Sequence, residues 1–253
     1  MIILNNVDTF MIRMKKRVKK HLPNTITCCN LFSGCVGIVF AFQDNLIYAA
    51  YAIFLAAIFD FFDGLASRVL QSFSGIGKDL DSLADMISFG FLPSAIVFEL
   101  YLRGPQINNV SPFLNFAAFL IAVFSMLRLA KFNQDTRQTE NFIGLPTPAN
   151  AILIASIPFI LEQHTGVAKY ILNPYYLTIF VAVMCTLLVA ELPLMSLKFK
   201  NRDFQENIYR YLLLLFSAIL ILFFKFAAVP VVILFYITLS IIQFKIPHDE
   251  VPG

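Results

Sequence analysis

AIFDFFDGLASRVLQSFSGIGKDLDSLADMISFG, residues 57–90, places four aspartates (Asp60, Asp63, Asp81 and Asp85) in an otherwise apolar setting. A carboxylate at the centre of a membrane helix costs about 2.5–3.5 kcal/mol even on a lenient insertion scale. Four of them at regular spacing need a common purpose. Asp60 and Asp63 are three residues apart, and Asp81 and Asp85 are four apart. Both spacings put two carboxylates one turn apart on one helix face. Two such faces brought together form an all-oxygen cluster suited to two divalent cations, Mg2+ or Mn2+.

The surroundings identify the solvent as lipid. Of 253 residues, 58% are hydrophobic and 14% charged, against roughly 45–50% and about 25% in soluble domains. The composition predicts an all-α protein, a polytopic integral membrane bundle of about eight transmembrane helices. The apolar segments are 22–42, 46–68, 83–102, 112–132, 148–163, 173–194, 208–228 and 229–245. The fifth is short and the last two meet at Pro230, so six or seven spans remain open. No repeat or linker divides them. The expected organisation is a basic juxtamembrane segment (1–21), one transmembrane domain (22–245) and a tail (246–253).

Basic residues set the orientation. Arg13, Lys15, Lys16, Arg17, Lys19 and Lys20 precede the first span. With eight spans, loops on the same side carry Arg68, Lys78, Arg128, Lys131, Arg137, Lys198, Lys200, Arg202 and Lys245, while the opposite loops hold little more than Arg103 and Lys169. The positive-inside rule then places both termini and the aspartates at the cytoplasmic face. Residues 3–18 carry apolar side chains at helical period, Ile3, Val7, Phe10, Met11, Met14 and Val18, which fits either an amphipathic helix on an anionic leaflet or a solvated basic tail. No small-residue site closes the apolar region as a signal peptide would. The lack of a transit peptide favours a bacterial-type plasma membrane.

Cys28, Cys29, Cys35 and Cys185 lie in apolar spans and read as free, buried thiols. His21, His164 and His248 are scattered near segment ends. No Ser-His-Asp or Cys-His set offers a protein nucleophile, and no nucleic-acid partner is expected.

The residues between the aspartates refine the chemistry. Gly64 follows Asp63, Arg68 lies one turn later, and Gly77 precedes Asp81 by four. Glycine costs a helix about 1 kcal/mol relative to alanine and is useful where a ligand must approach the backbone. Arginine offers a planar fork to phosphate. Metals, glycines and an arginine together read as a diphosphate site whose substrate is, or meets, a lipid.

The run Asp60-x2-Asp63-Gly64-x2-Ser67-Arg68-x8-Gly77-x3-Asp81-x3-Asp85 resembles the signature of the CDP-alcohol phosphotransferase family, with Ser67 where alanine is usual. LPNTITCCNLFSG (22–34), GKDLDSLADMISFGFLP (77–93), LRLAKFN (127–133) and FIGLPTPAN (142–150) are similar to its phosphatidylserine synthase branch. These blocks cover the first 150 residues; the last hundred are alike only in hydrophobicity and in the basic loop SLKFKNR. The resemblance implies transfer of a phosphatidyl group from CDP-diacylglycerol to L-serine, releasing CMP. It implies that Asp60 and Asp81 bridge two divalent cations, Asp63 and Asp85 complete one site each, and Asp85 is the catalytic general base. Gly64, Ser67, Arg68 and Gly77 would face the CDP moiety. Homodimerisation is expected on the same ground.

The serine subsite is less marked. Arg128, Lys131 and Asn133 end the fourth span and are its candidates, although basic residues at span ends also snorkel to lipid headgroups. Asn30 is polar at depth and could meet substrate or bond a neighbouring helix. Asp79 falls on the wrong helix face for ligation. Glu99 and Glu191 have no evident role, and GLPTP breaks and restarts helix at the membrane edge. A cation transporter would also use intramembrane aspartates, but leaves the glycine and arginine spacing unexplained. Sibling transferases acting on glycerol 3-phosphate or an inositol phosphate would need extra basic residues for the acceptor phosphate.

Overall fold

In the computed structural model the described residues are 2–72, 75–105, 111–135, 142–196, 203–204 and 207–245, with side chains described from residue 21 onward. The face of the 3–18 segment, the loop cations Arg137, Lys198, Lys200 and Arg202, His248, the side chain of Lys245 and the 246–253 tail lie outside them.

All eight apolar segments are helical, so the all-α expectation holds. Helix α1 (Ile2–Phe42) continues through Pro23 and includes the candidate span His21–Phe42. Helix α2 is Leu46–Val69. Next come α3 (Gly75–Asp85), a π-helical turn (Met86–Phe91) and α4 (Leu92–Arg103), which together form one candidate span over Gly75–Arg103. A 3-10 turn, Pro112–Phe119, leads into α5 (Leu120–Gln134). Then follow strand β1 (Phe142–Ile143), α6 (Thr147–Gln163), the short α7 (Ala168–Ile171), α8 (Pro174–Val189), strand β2 (Pro193–Leu194), α9 (Ile208–Phe224) and α10 (Ala228–Lys245).

By length and composition five stretches can cross a membrane, or six if the pair bent by 113° between α6 and α7 counts as one span. The last stretch, Ile208–Phe244, has 37 residues and would reach about 55 Å if straight, nearly twice a hydrocarbon core. It is instead broken at Lys225, whose φ is 50°. The two halves pack on each other, with the Phe216 and Phe235 rings 4.1 Å apart. The chain therefore turns at Lys225–Ala227, not at Pro230. That proline sits in the first turn of α10, where its missing N–H has no helical partner to lose.

Small residues bring the first helices together. The inward face of α1 is Thr27, Asn30, Ser33, Gly34 and Gly37, and that of α2 is Ala49, Ala50, Ala52, Ile53 and Ala56. Lipid provides no hydrophobic drive between helices, so close backbone approach and polar links carry the association. Ser33 Oγ donates to the Ala52 carbonyl at 2.9 Å. A larger side chain at Gly34 would collide with Ser88 Oγ. Cys28, Cys29 and Cys35 fall on the opposite, exposed face of α1, and only Cys185 is buried. The expectation of four thiols buried in the protein is thus corrected: a hydrophobic side chain in lipid need not face the bundle.

At the other end of the spans Arg103 pairs with Asp44, Nη2 to Oδ1 at 2.7 Å, and also donates to the Asp44 carbonyl. One of the two cations expected in the opposite loops is therefore neutralised locally. The GLPTP segment does restart a helix: Pro146 caps α6, and Gly144 adopts φ 77° just ahead of it.

Candidate active site

The C-terminal half of α2 and the whole of α3 meet with their aspartate faces toward each other. One carboxylate oxygen from each of Asp60, Asp63 and Asp81 lies within 4.8 Å of the others. Asp63 is 5% exposed, and its Oδ2 has no hydrogen-bond partner among the described residues. Crowded hard oxygens, one of them without a hydrogen-bond donor among the described residues, fit a divalent cation such as Mg2+ or Mn2+, and without one like charges would oppose each other. Asp85 lies deeper, one turn past Asp81 and immediately before the π-helical turn. It is within electrostatic reach of all three other carboxylates. Asn30 on α1, fully buried, donates from Nδ2 to Asp85 Oδ1 at 3.2 Å. The neighbouring Ser88 hydroxyl donates to the Asn30 carbonyl at 3.0 Å. Asn30 is therefore a link between helices that ends on a site residue.

A cleft of about 530 Å3 opens in front of the cluster, lined among others by Thr27, Asp63, Gly64, Ser67, Gly77 and Asp81. Three of the four residues expected to face CDP thus share one cavity with two of the aspartates. A Cβ on Gly64 would meet only the Arg68 Nη2, at 3.9 Å, so that glycine answers no demand of protein packing. Arg68 is exposed and outside the lining; its Nε donates back to the Gly64 carbonyl at 2.9 Å. Asn24, Ser72 and Lys78 line the cleft and were not expected. Lys78 had a legible signal, being a cation beside Gly77. Asp79 is exposed, as its helix face predicted.

A second, smaller cavity of about 250 Å3 lies where α5 and α8 end, lined by Arg128, Lys131, Gln134, Asp135, Ile143 and Glu191 among others. Arg128 is 6% exposed, and its Nε has no hydrogen-bond partner among the described residues. The guanidinium lies within electrostatic reach of Asp85 and of Tyr236 on α10. Asn133 departs from its expected place. Its Nδ2 donates to Ser82 Oγ at 2.7 Å and its carbonyl accepts from Lys78 Nζ at 2.8 Å, so it ties α5 to α3 instead of lining the small cavity.

The family model for CDP-alcohol phosphatidyltransferases matches residues 20–190. The chain belongs to the CDP-alcohol phosphatidyltransferase family. The match runs forty residues beyond the blocks read in the sequence and takes in α8. Among curated relatives, the CDP-diacylglycerol–serine O-phosphatidyltransferase of Bacillus subtilis (strain 168) is 33% identical over 140 residues, covering 55% of this chain and 76% of the relative. That of Mycobacterium leprae (strain TN) is 31% identical over 180 residues, 68% of this chain and 57% of the relative. The archaetidylserine synthase of Methanothermobacter thermautotrophicus is 35% identical over 138 residues, 53% of this chain and 56% of the relative. The chain thus spans three quarters of the Bacillus relative but only a little over half of the other two. Membership places the family's reaction type on this bundle, and the α9–α10 hairpin lies outside the matched region.

Proposed function

We propose that this chain transfers the phosphatidyl group of CDP-diacylglycerol to L-serine, giving phosphatidylserine and CMP. The observation that carries the reading is the pairing of two cavities through Asp85. The larger is lined by Asp63 and Asp81 of the cluster, the smaller by Arg128, and Asp85 is within electrostatic reach of all three. The names of the relatives support serine as the acceptor.

Gly64, Ser67 and Gly77 would receive the diphosphate and cytidine in the larger cleft, with Arg68 swinging from its own helix to the phosphate. Asp60, Asp63, Asp81 and Asp85 would hold two divalent cations, whose chemistry when bound is to offset the charge of the diphosphate and of departing CMP. Arg128 and Lys131 would hold the serine carboxylate, and Asn133 would keep α5 in register with α3. Asp85 then takes the proton of the serine hydroxyl. The hydroxyl oxygen forms a bond to the β-phosphorus, the bond from that phosphorus to the bridging oxygen breaks, and CMP leaves with the electron pair. No phosphatidyl-enzyme is needed.

The same reading puts the protein in a bacterial plasma membrane with its site cytoplasmic, as the loop cations favour, and in a homodimer, as the family resemblance implies. A monomeric mass by light scattering for an active preparation would remove the dimer. The function itself is tested by CMP release from purified protein with CDP-diacylglycerol and Mg2+ or Mn2+, offering L-serine, glycerol 3-phosphate or an inositol phosphate in turn. Release with serine alone, abolished by chelator, is expected; release with another acceptor overturns the substrate. Asp85→Asn should lower turnover by about 10²–10⁴-fold while leaving the protein folded. Near-normal turnover would end its role as base.

A further inference from the structure

Glu191 has no evident role in the sequence, yet it is exposed and lines the Arg128 cavity. It lies in the connection from α8 to β2, and backbone bonds hold that connection on both sides. Ala190 N–H donates to the Thr186 carbonyl, and Gly144 N–H donates to the Leu192 carbonyl, each at 2.9 Å. Antiparallel pairing sets Ile143 opposite Pro193 and Phe142 opposite Leu194. Beyond β2 the C-terminal hairpin completes the anchorage. Tyr236 hydroxyl donates to the Met195 carbonyl at 2.9 Å, Ser240 Oγ accepts from Met195 N–H at 3.1 Å, and Arg210 Nε donates to the Ser196 carbonyl at 2.8 Å. The backbone that bears Glu191 is thus anchored, while its exposed side chain is free to reach into the cavity it lines.

The cavity it lines also carries the opposite sign. Arg128 and Lys131 come from α5 and Glu191 from the connection after α8, so one small cavity is lined by cations and by an anion from a different element. Asp135 also lines it but has an interaction of its own within the protein. A paired-sign pocket of this size complements a zwitterion. An acceptor carrying a phosphate would bring two further negative charges to a lining that already holds Glu191 and Asp135, which disfavours it relative to a zwitterion.

We propose that Glu191 is the anionic half of the acceptor subsite, holding the ammonium group of the amino-acid acceptor while Arg128 holds its carboxylate. The inference rests on the serine-transfer reading and adds the residue that sets its specificity. It also gives the C-terminal hairpin, outside the family match, a purpose, since the hairpin keeps the turn that bears Glu191 in place.

The test compares L-serine with 3-hydroxypropionate, which keeps the hydroxyl and carboxylate but lacks the ammonium, in the full-length chain and its Glu191→Gln and Glu191→Asp variants. Glu191→Gln should raise the KM for L-serine about tenfold and lower the preference for serine over 3-hydroxypropionate by the same factor. The KM for CDP-diacylglycerol should stay as it was, and Glu191→Asp should recover most of the loss. An unchanged serine KM, or equal losses for both acceptors, overturns the role of Glu191 and leaves serine transfer standing. Wild-type protein that releases CMP with neither acceptor overturns the serine-transfer reading, and Glu191 with it.

Discussion

Two arginines are buried almost equally in this bundle, and they differ in what surrounds them. Arg210 is 8% exposed and Arg128 is 6%. Arg210 is provided for by the protein: its Nε donates to the Ser196 carbonyl and its Nη1 to Asn207 Oδ1 at 3.0 Å. Arg128 rests against the Phe132 ring, 5.2 Å from its centroid, while its Nε finds no acceptor among the described residues. A buried donor without an acceptor costs about 1–3 kcal/mol. The folded chain tolerates that at Arg128, where a cavity adjoins, and avoids it at Arg210. The contrast separates groups that complete the protein from groups that await something else, and the aspartate cluster falls with Arg128.

Exchanging each arginine for alanine should reverse the two outcomes. Arg210→Ala strips donors from a buried carbonyl and a buried amide, and should cost roughly 1–3 kcal/mol of stability, read as a lower melting temperature in detergent, with the serine KM of the surviving folded protein little changed. Arg128→Ala removes a guanidinium whose Nε has no acceptor among the described residues, and should leave the melting temperature close to that of the wild type. Its cost should appear in the serine KM, raised about 10–100-fold, the worth of a charge-assisted hydrogen bond. Equal melting losses in both variants would erase the distinction.

The same contrast explains what could be read from the sequence. Asp60, Asp63, Asp81 and Asp85 were legible because a helix turns spacing into a shared face, and because carboxylates in lipid need a reason. The apolar segments were legible for the equally local reason of length. The approach of Arg128 to Asp85 was not, since it depends on how α5 packs beside the π-helical turn. Nothing in MISFGF announces that turn. Glu191 looked idle because its meaning comes from the β1–β2 pairing and the hairpin, both formed by residues distant in the chain. The reversal at Lys225 was hidden as well. A lysine at positive φ is uncommon, while nearby Pro230 offered a more conventional but wrong boundary.

Two glycines differ in the same way on a smaller scale. Gly34 faces protein, where a methyl group would strike Ser88 Oγ and sit 3.0 Å from Ser88 Cα. Ser88 cannot yield freely, because its hydroxyl holds the Asn30 carbonyl. Gly34→Ala should therefore destabilise by about 1–3 kcal/mol, as overpacking does. Gly64 faces the cleft, so Gly64→Ala should be neutral to stabilising by up to about 1 kcal/mol through helix propensity. The donor KM should nonetheless rise about tenfold, corresponding to about 1.4 kcal/mol lost to a crowded diphosphate. A Gly64→Ala protein with unaltered affinity for CDP-diacylglycerol would take that residue out of the donor site.

The smallest effect is expected where an aspartate has both the right neighbourhood and the wrong face. Asp79 is two residues from Asp81 but is exposed, and it belongs neither to the three-carboxylate cluster nor to the lining of the cleft. Its charge is solvated, and substitutions at such surface positions usually fall within about 0.5 kcal/mol. Asp79→Asn should then leave turnover close to that of the wild type, because the residue lies outside both the cluster and the cleft lining. Asp81→Asn, one half-turn away, should instead lose both turnover and the stabilisation that added Mg2+ or Mn2+ gives the wild type in a melting experiment. If Asp79→Asn proved as damaging as Asp81→Asn in both measurements, helix face would not be what selects the ligands, and the cluster of Asp60, Asp63 and Asp81 would have to be redrawn around a rotated α3.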